Sequence, residues 1–221
     1  MRNPQKNKLI IGISGASGTI YGVRLLELLR ALPDSQKIET HLIMSRAAEI
    51  TLAHETDFKV RDVEKLADMV HANKDIGAAV ASGSFRTMGM IIAPCSVKSL
   101  AEIATGVTDT LLSRAADVIL KERRRLVCMV RETPLHSGHL RNMLALSDMG
   151  AIIAPPVPAF YAKPDSIAFW ISSTSTSERS AAGRTMPRPE RDRESVFRAV
   201  FSARPGFSCS APGPGRFNFP R

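Results

Sequence analysis

A short apolar segment, followed at once by a glycine–serine turn and a leucine-rich helical pattern, constrains this chain most strongly. Residues 8–13 are apolar and β-rich, which predicts a buried strand. A turn over residues 15–18 follows, and leucines then recur at helical spacing from Leu25 as far as Pro33. Spacing alone supports two interpretations of the turn equally: an ordinary βα connection, or a loop whose backbone amides cradle a phosphate. The turn is not G-x-G-x-x-G, so a nicotinamide site has no specific support.

The same order of strand and helix recurs along the chain. Apolar, β-rich segments predict four further strands at residues 40–44, 88–93, 126–130 and 151–154. Helical patterns lie between them, including a short helix near residues 63–70. This alternation predicts an α/β fold, namely a flavodoxin-like or Rossmann-type parallel sheet with helices on both faces, in three layers.

Hydroxyl, glycine and charged residues gather where the predicted strands end. These positions are residues 14–17, Ser45, residues 94–99 and residues 131–132. Ligands of open parallel sheets bind beyond the carboxyl ends of the strands. Agreement among these separate loops therefore favours one binding site at that edge of the sheet.

Charged residues supply candidates for anion binding and proton transfer. Arg131 at a strand end has the geometry to grip a phosphate with two hydrogen bonds, and Glu132 beside it has the chemistry to move a proton. Arg114 and Lys121 lie seven residues apart, two turns along one predicted helix. Surface ion pairing is the ordinary alternative for all four residues and for Glu55.

Other chemistry-bearing side chains have simpler explanations. Ser96, taken alone, is better explained as a helix cap, and Cys95 as a small buried residue rather than a nucleophile. His136 and His139 have the spacing of a metal-binding pair, but the sequence offers no obvious third ligand. We therefore interpret them as histidines on a helix surface.

Composition limits the classes of function. The 221 residues are 44% hydrophobic, and the three cysteines are too few and too scattered for a disulfide framework, so we expect a reducing cytoplasm. The apolar segment near the N-terminus is too short for a membrane span. Nine arginines and four acidic residues follow residue 165, so a net +5 of the formal +9 lies there. Nucleic-acid binding through that basic tail is a minor hypothesis.

Taken together and in order, these motifs resemble the UbiX family of flavin prenyltransferases. The resemblance extends from about residue 8 to residue 167. Two stretches, RAADVILKERR at residues 114–124 and VRETPLHSGHLRNM at residues 130–143, are highly specific. The other matching stretches are Gly12–Arg24, Ser45–Ala48, Glu55–Asp57, Ser82–Ser84, Pro94–Ser99 and Pro155–Tyr161.

The resemblance implies an activity. Members join the dimethylallyl group of dimethylallyl phosphate to reduced FMN, at flavin atoms N5 and C6, without a metal. The resemblance also implies a homo-dodecamer with FMN bound between subunits. The prenylated FMN then serves a UbiD-type decarboxylase, often on the route to ubiquinone. We accordingly expect no nucleic-acid partner and no membrane span.

The resemblance also implies a role for individual residues. Glu55 and Ser17 would steady the intermediate prenylated at N5, and Glu132 would assist proton removal during ring closure. Three residues would bind dimethylallyl phosphate: Arg114, Lys121 and Tyr161. The remaining matched positions would hold FMN: Gly15, Ala16, Ser17, Ser45, Ser96, Val97, Lys98, Ser99 and Arg131.

The sequence departs from the family after Ser166. We predict a flavoprotein domain over residues 1–167 and an atypical, disordered tail over residues 168–221, which is rich in Ser, Arg, Pro and Gly. Where members carry a helix with a phosphate-binding Arg, this chain has Ser177, and nearby Arg179 is not a motif match. Such a switch is what out-of-frame translation of a GC-rich gene would produce.

Two alternatives follow from these features. One is an FMN-dependent cysteine decarboxylase, a class with the same fold. The turn at residues 94–98 lacks the Asn and the paired Met and Trp that this class carries. The other alternative is an inactive FMN-binding subunit, because of the altered C-terminus.

Overall fold

A computed structural model describes residues 7–157 of the chain. Six strands form one parallel sheet in the order β3-β2-β1-β4-β5-β6. The strands are β1 Asn7–Ile13, β2 Ile38–Met44, β3 Met69–Ala72, β4 Gly89–Cys95, β5 Arg125–Val130 and β6 Ile152–Ile153. The helices are α1 Ile20–Arg30, α2 Arg46–Glu55, α3 Val60–Glu64, α4 Val97–Thr105, α5 Leu111–Lys121 and α6 Ser137–Asp148.

Strand alternation divides the core into two halves. In β1, Ile11 and Ile13 face one side of the sheet, where α1, α2 and α3 contribute residues such as Leu26 and Leu52. Ile10 faces the other side, which α4, α5 and α6 cover. The central strands are buried on both faces, so they read as continuous apolar runs. The predicted fold class is therefore confirmed, and the strand order is that of the Rossmann type.

The sequence-based prediction was wrong at one edge of the sheet. The helix expected near residues 63–70 is α3, which already ends at Glu64. The segment Met69–Ala72 that follows forms β3, one strand more than the five that were predicted. This strand is short and largely exposed, with Met69 and Val70 each about half accessible to solvent. It lacks both the apolar run and the alternation that signal a strand. Pairing with β2 along His41–Met44 determines its conformation.

The described residues do not include residues 1–6 or 158–221, so the roles of Tyr161, Ser177 and Arg179 and the boundary at residue 167 remain predictions. Within the part that is described, none of the helices has the length and apolar character needed to cross a bilayer.

Candidate functional site

A cleft of about 490 Å³ opens at the carboxyl edge of the sheet, where β1 and β4 lie side by side. The chain crosses from β1 toward β2 on one side and from β4 toward β5 on the other, so this is the topological switch point at which doubly wound sheets bind ligands. The cleft is lined by Gly15, Ala16, Ser17, Ser45, Arg46, Ala47, Asn73, Ser96, Val97, Lys98, Ser99, Glu102, Thr110, Leu112, Arg131 and Glu132.

Ser14 ties together the two loops that form the floor of the switch point. Its fully buried hydroxyl donates to the carbonyl of Pro94 at 3.0 Å and accepts from the Ser96 amide at 2.7 Å. The Ser14 amide donates to the same Pro94 carbonyl. The loop after β1 and the loop after β4 therefore hold a fixed distance from each other.

Three helices begin at the wall of the cleft, and each starts with a hydroxyl cap. The side chains of Ser45, Ser96 and Thr110 accept hydrogen bonds from backbone amides in the first turns of α2, α4 and α5. A helix N-terminus carries partial positive charge and unpaired amides, which favour an anion. At α5 the first amides are already bonded to Asn73 and Thr110, so the N-termini of α2 and α4 are the two that favour a phosphate or another anionic group in the cleft.

Gly15 permits close contact between the first loop and α2. A Cβ atom built on Gly15 would lie 2.3 Å from the Cβ of Ala47 and 3.1 Å from its carbonyl carbon. Any side chain at this position would push the two elements apart. The turn therefore requires glycine at residue 15 because it packs directly against α2.

Three cations line the cleft, but they differ in how they are paired. Arg46 pairs with Glu49 at 2.6 Å and Lys98 with Glu102 at 3.2 Å, and both cations are largely exposed. Half-buried Arg131, in contrast, makes no ion pair with any carboxylate in residues 7–157. Its guanidinium is thus the cation most available to an anionic ligand.

Glu55, at the end of α2, closes the loop after β1 from outside the cleft. Its Oε2 accepts from the Gly18 amide at 2.8 Å and from the Thr19 amide and hydroxyl at 3.2 Å. Partial burial raises its pKa, but hydrogen bonds from Ser17, Gly18 and Thr19 outweigh that effect and hold the pKa of Glu55 below its usual range. Ser17, which lines the cleft, therefore contacts a carboxylate that stays ionised.

The structure sorts the predicted residues into two groups. Every residue predicted to hold FMN lines the cleft, and so does Glu132. Arg114 and Lys121 do not line it, although both lie on α5. Arg114 pairs with Asp117 at 2.7 Å, and Lys121 pairs with Glu122 at the far end of the helix, just before β5 begins. The two predicted substrate cations and the cleft are thus separated within one chain.

The cysteine and histidine side chains singled out in the sequence lie in the core and at the start of α6. Cys95 is fully buried, and a hydrogen bond with Cys128 together with burial raises the pKa of its thiol, so it is a core residue as predicted. His136 caps the start of α6, and its ring lies 3.6 Å from that of His139. Among residues 7–157, no group of three or more His, Cys, Asp or Glu side chains is placed to hold a metal.

Sequence reasoning missed two cleft features that depend on tertiary contacts. Ser14 was recognised as part of a loop but not as the tie between two loops. Asn73 follows β3 directly and reaches the cleft, but that strand was itself missed. A polar residue directly after each strand was the available signal for both.

Comparison with known proteins gives the family. The model of the Flavoprotein family matches residues 1–170. The flavin prenyltransferase UbiX of Escherichia coli is 59% identical over 167 residues, which are 76% of this chain and 87% of that protein.

Solved structures agree with these sequence matches. The crystal structure of AnUbiX in complex with FMN and dimethylallyl pyrophosphate is 49% identical, with a TM-score of 0.72 over 77% of this chain and 89% of that one. A dodecameric FMN-dependent UbiX-like decarboxylase from Escherichia coli is 46% identical, with a TM-score of 0.71 over 81% of this chain and all of that one. The cysteine decarboxylase SpaF, at 17% identity and a TM-score of 0.56 over 70% of this chain and 86% of that one, shares the fold alone.

The match covers most of the chain and of its relatives, and it includes the loops that build the cleft. This chain belongs to the UbiX family of flavin prenyltransferases.

Proposed function

We propose that this chain joins the dimethylallyl group of dimethylallyl phosphate to reduced FMN bound in the cleft. One observation carries the proposal: the nine residues predicted to hold FMN come from four separate segments that follow strands, and all nine line one cleft. A relative 49% identical to this chain has been crystallised with FMN and dimethylallyl pyrophosphate. The likeness to a cysteine decarboxylase is one of fold alone, so it does not favour that alternative.

The cleft suits a flavin mononucleotide in size and charge. Its volume of about 490 Å³ lies within the range of roughly 300–1,000 Å³ typical of sites for small ligands. The N-termini of α2 and α4 and the guanidinium of Arg131 supply donors for a phosphate, and Ala16, Val97 and Leu112 supply apolar surface for a ring. When bound and reduced, the flavin would supply the nucleophilic atoms that accept the prenyl group.

The chain's own groups would position the reactants and move a proton. Glu132, exposed at the cleft wall beside Arg131, is the proposed base that removes a proton during ring closure. Ser17 is held by ionised Glu55, so its hydroxyl has a fixed orientation at the cleft. Neither residue needs to act as a nucleophile, because proximity in a dry site is what an allyl transfer requires.

A second copy of the chain would complete the substrate site. Lys121 lies about 10 Å along α5 from Arg114, and neither cation lines the cleft of its own chain. Each would reach the prenyl phosphate only across an interface between copies, where cations would stabilise the departing phosphate. Tyr161 is proposed to act with them. A relative 46% identical to this chain is a dodecamer, and we propose the same assembly here.

The product and the cellular setting follow from the proposed reaction. We infer that a UbiD-type decarboxylase receives the prenylated FMN, with ubiquinone synthesis as the pathway served. The free, buried thiols of Cys95 and Cys128 support a reducing, cytoplasmic location.

A mass spectrum of the flavin tests the proposal directly. The purified chain would be incubated with reduced FMN and dimethylallyl phosphate, and the extracted flavin should gain the mass of one dimethylallyl unit. Arg114→Ala and Lys121→Ala should raise KM for dimethylallyl phosphate and leave the Kd for FMN unchanged. Bound flavin without product would favour an inactive FMN-binding subunit. A chain truncated after Ser166 with an unchanged rate would show that the tail is dispensable.

A further inference from the structure

Asn73 joins the end of β3 to the start of α5. Its side-chain Oδ1 accepts a hydrogen bond from the Leu112 amide at 3.0 Å, and its backbone carbonyl accepts from the Leu111 amide at 2.8 Å. Both leucines are buried in the core, so this end of α5 is fixed. The same hydrogen bond fixes the side chain of Asn73, because its Oδ1 is bonded to the Leu112 amide.

The engaged acceptor determines which way the amide group faces. A carboxamide has one oxygen that accepts and one NH₂ group that donates. Since the Leu112 amide is a donor, the oxygen must face α5, and Nδ2 is turned away from the helix. Asn73 is half-buried and lines the cleft, and none of the hydrogen bonds within residues 7–157 uses Nδ2.

We propose that Asn73 is a flavin-binding residue whose Nδ2 donates a hydrogen bond to an acceptor atom of FMN. The inference deepens the proposed function and rests on it. Of the described residues that line the cleft, Asn73 alone carries a carboxamide. Because α5 holds this amide before the ligand arrives, binding would cost little further ordering of the side chain.

An isosteric substitution tests the donor function of the Asn73 amide separately from its acceptor function. In Asn73→Asp, an oxygen still accepts from the Leu112 amide, and a carboxylate is favourable at a helix N-terminus, so α5 stays capped. The donor, however, is replaced by an acceptor. We expect the melting temperature of the FMN-free protein to be unchanged within about 2 °C or raised, and the Kd for FMN to rise about 10-fold or more.

Ser113→Ala is the matched control. Ser113 takes part in the capping box of the same helix and is fully buried, but it does not line the cleft. The control should lower the melting temperature and leave the Kd for FMN within about twofold of the wild type. A fluorescence titration with FMN measures the Kd of each protein.

The outcomes separate the two claims. An Asn73→Asp protein with wild-type affinity for FMN would overturn this inference alone, as would equal weakening by Ser113→Ala. A wild-type chain that fails to bind FMN would overturn both this inference and the proposed function. Titration with riboflavin locates the acceptor: weakening for both ligands assigns it to the ring or ribityl chain, and weakening for FMN alone assigns it to the phosphate.

Discussion

The amide of Ser96 donates a 2.7 Å hydrogen bond to the hydroxyl of Ser14, and this contact joins loops that are 82 residues apart in the sequence. Ser14 is fully buried, and its own proton goes to the Pro94 carbonyl. The cleft floor is therefore held by one hydroxyl that both donates and accepts.

Ser14→Ala should destabilise the fold. The substitution leaves the part-buried Ser96 amide without this partner, which costs about 1–3 kcal/mol. Urea unfolding measures the loss, and FMN titration should show weaker binding because the two loops are no longer tied. Thr105→Ala is the control, since its hydroxyl also bonds a backbone carbonyl but is exposed. It should change the unfolding free energy by less than about 0.5 kcal/mol.

Gly15→Ala should disturb the cleft by overpacking. The new methyl group would meet Ala47 at 2.3 Å, and separating the loop from α2 costs about 1–3 kcal/mol. We expect lower stability together with weaker FMN binding. Gly77→Ala is the comparison, because the nearest atom to its added methyl group lies at 3.5 Å. Equal effects of the two substitutions would contradict the packing argument.

Glu55→Gln should lower the rate of prenyl transfer more than the affinity for FMN. Three donors converge on Oε2 of Glu55, and a neutral amide accepts them more weakly than a carboxylate does. We expect kcat to fall about 10-fold. Glu64→Gln, which changes a carboxylate outside the site, should leave kcat unchanged.

The lowered pKa of Glu55 also predicts a pH dependence. Its contribution to stability should be fully present above the ordinary value of 4.5 and lost as pH falls through the lower folded-state pKa. The difference in melting temperature between wild type and Glu55→Gln should thus stay constant from about pH 5 to 8. A difference that already shrinks near pH 6 would contradict this assignment.

A histidine pair away from the cleft should make the fold sensitive to mild acid. His41 Nδ1 lies 3.0 Å from His71 Nε2, and burial lowers the pKa of both rings. Glu39 opposes this effect at His41, whereas Lys8 adds to it. In mild acid these two histidines therefore bind protons in the unfolded chain before they do so in the native chain. The free energy of unfolding should be highest above about pH 6.5 and fall below that pH.

Thermal unfolding between pH 7.5 and 5.5 measures this effect. Replacing both His41 and His71 with Gln should flatten the dependence of melting temperature on pH. His54→Gln serves as the control, because His54 is exposed on α2, and its dependence should match the wild type. An unchanged slope in the double variant would contradict the role of the pair.

Much of the fold was predictable because its signals are local. Apolar runs in the sequence indicate the buried central strands. Capping residues such as Ser45 and Ser96 indicate where helices begin. Strand β3 was not predictable, since pairing with β2 rather than its own composition forms it. Asn73 was lost with that strand, although it reaches the cleft.

The candidate site was predictable to the extent that it is built from strand ends. Gly15, Ser96 and Arg131 follow buried strands, so the topology alone brings them together. The separation of Lys121 from the cleft was not predictable. Helical spacing places Arg114 and Lys121 on one helix but does not say where that helix ends relative to the sheet.

Helix α5 begins beside the cleft and carries Lys121 to its far end, so defects in two different chains could compensate for each other. Glu132 lines the cleft and Lys121 lies at the opposite edge of the sheet, so in the proposed assembly these two residues of one chain would serve different sites. Glu132→Gln and Lys121→Ala chains, each impaired alone at low dimethylallyl phosphate, would form some sites with both wild-type residues when assembled together. Activity that returns on mixing would be intersubunit complementation.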